Sequence, residues 1–298
     1  AIVDFVDIDI ETGNMSITEL ENKLRKAKET NTLPKVLIPV HFAGQSCDMK
    51  SIATLASHYG FRVIEDASHA VGAKYKNSLV GSCKYADICV FSFHPVKIIT
   101  TMEGGMAMTN DPALAESMRM GRSHGVTSAK ELMTKPSHGP WYYQQVSLGY
   151  NYRMNDIEGA LGVSQVKKLS VFIEKRNSIA KKYNELFKSY PRICPLIVSD
   201  QSYSSYHLYV VRIFDISQEQ KKTLIERLRN AKIFAHLHYI PIHTQPYYEA
   251  LGFNAGDFPS AEQYYKQAIT LPIFPDLASS QVEFIVDKLI TTLDELDK

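Results

Sequence analysis

Apolar and polar positions along the first half of the chain fall into two alternating rhythms. Residues 1–8 read as a strand. Ser16 with Glu19 has the pattern of a capping box, and Ile17, Leu20, Leu24 and Ala27 then share one helical face. Residues 35–42 form a nearly continuous apolar run, the pattern of a parallel strand buried on both faces. A helix over 49–59 follows, with Gly60 as its stop signal. Further strands are predicted at 61–65, 88–93 and 106–109, and Asp111-Pro112 supplies the cap and first-turn proline of another helix. Such alternation indicates βαβ units around a mostly parallel sheet covered by helices.

Residues 123–147, rich in Gly, Ser, Pro and aromatics, read as a long loop of the kind that tends to carry function. Asn155 opens a helical stretch to about residue 189. Beyond Pro191 the order changes. An alternating strand over 206–214, a helix over 218–232, a strand over 233–240 and a last helix capped by Ser280 with Glu283 predict a smaller α+β unit packed on a larger one. There is no internal repeat.

Composition narrows the functional classes. The 298 residues are 45% hydrophobic and 22% charged, ordinary for a globular protein. Lys and Arg number 33 against 32 Asp and Glu, so charge gives no support to a nucleic-acid or anionic-membrane role. No apolar run approaches the roughly 18 residues of a membrane span. Cys47, Cys83, Cys89 and Cys194 are widely spaced and make no metal-type or redox-type pair, which fits reduced thiols in a cytoplasmic protein.

Residues 63–110 are the chemically informative stretch. One strand ends in Glu65-Asp66 and is followed by Ala-Ser-His69; the next leads through Phe91-Ser-Phe-His-Pro-Val-Lys97 to Glu103-Gly-Gly105. Ligands of open α/β sheets bind beyond the carboxyl ends of strands, so Asp66 and Lys97 can converge on one crevice. A lysine and an acid together are what a pyridoxal phosphate site needs. The lysine forms the Schiff base, and the acid keeps the pyridine nitrogen protonated so that the ring acts as an electron sink. Ser92 and nearby backbone N–H groups can take the phosphate. Singly, each residue has a plainer role: exposed scaffold for Lys97, a turn or cap for Asp66, ordinary hydrogen-bonded histidines for His69 and His94. A plain nucleotide-binding α/β domain stays open beside the pyridoxal reading, although neither a G-x-G-x-x-G turn nor a G-x-x-x-x-G-K-[ST] loop is present.

Three segments carry a family resemblance: 65–72 (EDASHAVG), 91–105 (FSFHPVKIITTMEGG) and 148–160 (LGYNYRMNDIEGA). In order and spacing they resemble the DegT/StrS-type sugar aminotransferases, and the likeness extends over essentially the whole chain. The resemblance implies an α/β, fold-type-I aminotransferase: a large domain with a mostly parallel sheet over 1–170, which binds pyridoxal 5′-phosphate, and a smaller α+β C-terminal domain over 171–298. It implies a homodimer with a shared active site. Carried over position by position, Lys97 matches the Schiff-base lysine, Asp66 the pyridinium partner and Ser92 a phosphate-binding serine. Asn151 matches an asparagine that reaches the neighbouring subunit's cofactor phosphate. His69 falls where the family places a residue, often glutamine, near the ring's phenolic oxygen.

Within the family the likeness is greatest to the branch that aminates a UDP-linked 4-keto-6-deoxy sugar in pseudaminic acid synthesis, with L-glutamate as donor. Residues 39–45, 122–125 and 238–248 carry it, and His94, His238, Tyr239 and His243 are candidate substrate contacts, with packing of an interdomain seam as the alternative for the last segment. The family also has a phosphate-binding Gly-Thr/Ser-Ala turn and a ring-stacking aromatic before the point where this chain starts, so the large domain is expected to be N-terminally incomplete. Two rival readings follow: a related sugar dehydratase, against which Lys97 argues because that branch has histidine there, and a non-catalytic truncated or regulatory protein that keeps the fold. No metal is expected.

Overall fold

The computed structural model describes residues 1–297. In chain order the first part contains α1 (Ile17–Glu29), β1 (Val36–Leu37), α2 (Met49–Tyr59), β2 (Arg62–Asp66), β3 (Lys74–Tyr75), β4 (Ser78–Leu79), β5 (Ile88–Ser92), β6 (Gly105–Met108) and α3 (Pro112–Arg122). Next come β7 (Val126–Thr127), β8 (Gln144–Gln145), α4 (Asp156–Val166) and α5 (Leu169–Phe187). The remainder holds β9 (Ile193–Pro195), β10 (Ser202–Tyr203), β11 (Tyr209–Ile213), α6 (Gln218–Asn230), α7 (Pro246–Glu249), α8 (Pro259–Gln267), β12 (Ala268–Leu271) and α9 (Ser279–Leu296).

The sheet that matters for function runs β1-β2-β5-β6, parallel except for the last pair. β1, α2 and β2 make one βαβ unit. Ser16 caps α1 by accepting the Glu19 N–H at 3.3 Å, and Leu20 and Leu24 turn inward to meet Met49 and Ile52 of α2 and Leu37 and Val63 of the sheet. Each such buried aliphatic chain contributes roughly 1.5–3 kcal/mol. A second sheet, β12-β11-β9, is antiparallel. Its core gathers Tyr183, Leu224, Leu228, Leu289 and Leu293 from α5, α6 and α9. Among the described residues no helix is long and apolar enough to cross a membrane.

Several expectations need correction. Residues 1–8 form no strand; Ile8 makes only an isolated bridge to Met15. Asp7 is instead buried, and its two carboxylate oxygens accept the N–H groups of Ser260 and Ala261 at 2.9 Å each, an acid at the positive end of α8. The run 35–42 is paired only over β1 and at a bridge from Val40 to Asp66, since Pro34 and Pro39 have no N–H to donate. It is covered on one face only. Val36, Ile38 and Val40 are 44, 54 and 43% exposed, because α1 and α2 pack on the opposite side.

The helical stretch from Asn155 breaks into α4 and α5 at Lys167 and Lys168. β11 does not alternate. All five residues are buried, because Tyr209, Val211 and Ile213 meet the helices while Val210 packs against Tyr264 on the other face. Residues 233–240 are not a strand either; only His236 bridges Thr270, and β12, which no turn signal marks, takes the place beside β11. α9 begins at Ser279, where Gln281 Oε1 accepts the Ala278 N–H at 2.9 Å, so Ser280 lies inside the helix rather than capping it.

Candidate active site

β2 ends on Asp66, whose backbone groups are still tied to the neighbouring segments on both sides. Asp66 N–H donates to Pro39 O at 3.0 Å, its carbonyl accepts from His41 N–H at 2.9 Å, and Ala67 N–H donates to Val90 O at 2.8 Å. Strand alternation sends Glu65 and Asp66 to opposite faces. Glu65 is buried, with Oε2 3.4 Å from Nε2 of the fully buried His41. Cys47 N–H donates to Nδ1 of that imidazole at 3.2 Å, which leaves Nε2 as the protonated nitrogen facing Glu65. Asp66 is half-buried on the other face. Its Oδ1 accepts the Ser68 N–H at 3.0 Å, an Asx turn that fixes the carboxylate and leaves the second oxygen for another partner.

Lys97 stands on the loop beyond the adjacent strand, β5. That loop is closed on itself: Phe93 N–H donates to Gly104 O at 2.8 Å, Thr101 N–H to Phe93 O at 3.0 Å, and Lys97 N–H to His94 O at 2.9 Å. Ile98 and Ile99, 5 and 2% exposed, anchor it. Burial pulls the Lys97 amine below the ordinary lysine value, with the Asp66 charge pulling it back up.

His69 completes the crevice. It is 6% exposed, its ring lies 4.4 Å from that of His207, and its Nε2 is 3.5 Å from the Tyr239 hydroxyl. Phe42 packs 6.0 Å from it. Nδ1 of His69 and Nδ1 of His207 are buried without a hydrogen-bond partner. Burial, reinforced by the Lys97 charge, brings His69 down to about 4, so the ring is neutral at neutral pH. His238 is likewise brought down to about 4, by burial first and then by His236 and Lys97. Its Nδ1 lies 2.9 Å from Thr270 Oγ1, and Tyr264 donates to its carbonyl at 2.7 Å.

The structure therefore gathers Asp66, His69, Lys97, His238 and Tyr239 around one crevice. Ser92 is the last residue of β5, half-buried, with Oγ 3.5 Å from the His94 N–H. His94 is exposed and turned toward Glu103, 3.9 Å away. Asn151 is not among the groups around Lys97. It is exposed, bridges Ser123 and accepts from Arg153 Nε at 3.0 Å. Close to it in sequence Leu148 is 88% exposed and Tyr150 stacks on Tyr152 at 4.8 Å, and Trp141 is also exposed, at 75%. His243 points elsewhere, bonded to Glu262 at 3.0 Å with its ring 4.8 Å from that of Phe258. Sequence reasoning did not single out Phe42 or His207. His207 sat inside an apparent alternating strand, and no local pattern marks the residue that folds onto His69.

A lysine and an acid at the ends of neighbouring parallel strands, in a crevice of neutral histidines, are the parts of a pyridoxal-phosphate-dependent aminotransferase, and comparison with known proteins gives the same class. The DegT/DnrJ/EryC1/StrS aminotransferase family profile matches residues 1–290, and the chain belongs to that family. It is similar to the UDP-4-amino-4,6-dideoxy-N-acetyl-β-L-altrosamine transaminase of Campylobacter jejuni, at 36% identity over 298 residues, 100% of this chain and 75% of the relative. Among solved structures it superposes on Helicobacter pylori PseC, an aminotransferase involved in the biosynthesis of pseudoaminic acid. The TM-score is 0.87 and the identity 33%, covering 98% of this chain and 74% of that one. The PLP form of the sugar aminotransferase Spr1654 from Streptococcus pneumoniae matches with TM-score 0.85 at 29% identity, covering 98% and 75%. The architecture is fold-type I, and the cofactor of this enzyme class is pyridoxal 5′-phosphate.

Proposed function

We propose that the protein moves an amino group from L-glutamate to the 4-keto carbon of a UDP-linked 4-keto-6-deoxy sugar, giving the 4-amino sugar and 2-oxoglutarate, with Lys97 holding the cofactor. The observation that carries this reading is the pairing of Lys97 and Asp66 beyond the ends of β5 and β2. The UDP-sugar substrate is supported by the likeness to the Campylobacter transaminase.

The side chains present fit pyridoxal phosphate. Lys97 offers an amine whose charged form burial disfavours, Asp66 offers one carboxylate oxygen not used by its own turn, and His69 offers an uncharged imidazole with a buried, unpartnered nitrogen. When bound, the cofactor supplies an electron sink for the carbanion formed at the donor Cα. Asp66 would hold the proton on the pyridine nitrogen through a charge-assisted hydrogen bond. Lys97 Nζ would take the proton from the donor Cα and, in the second half-reaction, would deliver a proton to the sugar C4. Its lowered proton affinity suits it to both tasks. Ser92 would take the phosphate from this subunit.

Asn151 would take the phosphate of a second copy's cofactor, in a homodimer that covers the exposed surface around Trp141, Leu148 and Tyr152. His238, Tyr239 and His94 would meet the sugar. Incubating the cofactor-loaded protein with glutamate and a panel of UDP-linked and dTDP-linked 4-keto sugars tests the substrate. The expected outcome is 2-oxoglutarate formation, with an amino sugar of matching mass, for a UDP-linked 4-keto-6-deoxy sugar. Turnover restricted to dTDP-linked sugars, or none with any sugar, contradicts the reading.

A further inference from the structure

Arg176 lies on α5, away from the reacting groups, with 6% of its surface exposed. One guanidinium nitrogen donates to three backbone carbonyls: Tyr206 at 3.0 Å, Ile273 at 3.1 Å and His207 at 3.4 Å. Nε is buried with no partner. Among the described residues no carboxylate shares the charge, and burial alone lowers its proton affinity, to about 10. An unpaired buried cation is costly, and α5 has other means of anchoring a neighbouring backbone. Its next residue, Asn177, already donates from Nδ2 to Ser204 O at 3.0 Å.

The strap that these two residues grip, residues 204–208, touches the catalytic crevice on its other side. Ser205 Oγ donates to the His69 carbonyl at 3.0 Å, and Ser205 N–H donates to Gly44 O at 2.9 Å. Leu208 N–H reaches Ala43 O at 3.2 Å. A side chain at Gly44, whose φ is +109°, would meet Tyr206 N at 2.7 Å and His207 N at 2.9 Å, so the approach of strap to turn requires glycine there. His207 leaves the strap with its ring 4.4 Å from that of His69. The charged or titratable groups facing His207 are His69, Lys97, Arg176 and His238.

We propose that Arg176 is a positioning residue for the Lys97 site: it fixes the strap that carries His207 and, through Ser205, the turn that carries His69, and it places an unshared positive charge behind the His207 ring. This rests on the reading of Lys97 as the residue that holds the cofactor. A purely structural arginine would stabilise the fold without touching the proton affinity of the lysine-linked cofactor.

The experiment uses the full chain loaded with pyridoxal phosphate, in wild-type form and as Arg176→Met, Arg176→Lys and Ser205→Ala. Three quantities are read: the pH midpoint of the cofactor absorbance band, the split between kcat and the amino-donor KM, and Tm. Arg176→Met is expected to bind cofactor, to lose about 10- to 100-fold in kcat with little change in KM, and to move the midpoint upward, since a nearby positive charge has gone. Arg176→Lys returns the midpoint toward the wild-type value. Ser205→Ala lowers kcat in the same direction while keeping the midpoint, because the charge is still in place. A lower Tm with kcat and midpoint unchanged in Arg176→Met overturns the proposal. Should that variant fail to fold, wild-type kcat in both Arg176→Lys and Ser205→Ala overturns it, and reduced kcat in both supports it. Wild-type protein with no cofactor band at all contradicts the cofactor reading itself, which separates the two failures.

Discussion

Replacing His69 by glutamine removes a titrating ring and leaves a hydrogen-bonding side chain in its place. The effect on acid stability follows from the burial of that ring. In the folded protein His69 takes up a proton only near about 4, against an ordinary value of 6.5. Between those values the unfolded chain binds a proton that the folded chain refuses, so stability falls as pH falls. Each pH unit in the window is worth about 1.36 kcal/mol, and lowering the pH from about 7 to about 4.5 spans most of it. His69 thus accounts for about 2.5 kcal/mol of the acid-induced loss.

The assay is urea unfolding of cofactor-free wild-type and His69→Gln protein at the two pH values. The lost ring contact with His207 and contact with Tyr239 lower the stability of the variant at both. Those losses, and the titration of carboxylates elsewhere, cancel when the difference between the two pH values is compared. His69→Gln should lose about 2.5 kcal/mol less than wild type on acidification. An equal loss in both proteins refutes a buried, neutral His69 and with it the polarity assigned to the crevice.

Two further variants test the rest of the site. Asp66→Asn keeps an oxygen for the Ser68 N–H, so unfolding free energy should stay within about 1 kcal/mol; kcat should fall about 10²- to 10³-fold in stopped-flow half-reactions, as when a charged group aimed at the reaction is removed. The Lys97 amine, no longer held up by the Asp66 charge, should lose its proton at lower pH in a reactivity titration of the cofactor-free protein. Leu148→Asp puts a charge on the most exposed leucine, three residues before Asn151, and should convert the proposed dimer to a folded monomer in light scattering, with turnover lost; an active monomer would remove the proposed shared site.

Much of the site was legible in the sequence because its chemistry rides on local signals. Asp66 and Lys97 each follow a short β-branched or aromatic run that reads as a strand, and parallel strands place their carboxyl ends side by side. α1 and α3 were legible from side-chain caps, α1 also from apolar spacing and α2 from its glycine stop, all signals that lie within a few residues. What was not legible depends on distant partners. β12 has only four residues and gains its identity from pairing with β11. Residues 1–8 look like a strand by composition, yet no neighbouring strand offers them a ladder, and Asp7 goes to the end of α8 instead. His207, Ser205 and Arg176 reach the crevice only through the strap at 204–208, and no spacing rule links residues 69, 176 and 207 before the chain is folded.

The most direct test of the central claim is chemical. Reducing the cofactor-loaded protein with borohydride and mapping its peptides by mass spectrometry fixes the attachment site. The pyridoxyl mass should fall on the peptide containing Lys97 and disappear, together with the absorbance band and transamination, in Lys97→Ala. A label on another lysine, or a Lys97→Ala protein that keeps both band and turnover, contradicts it.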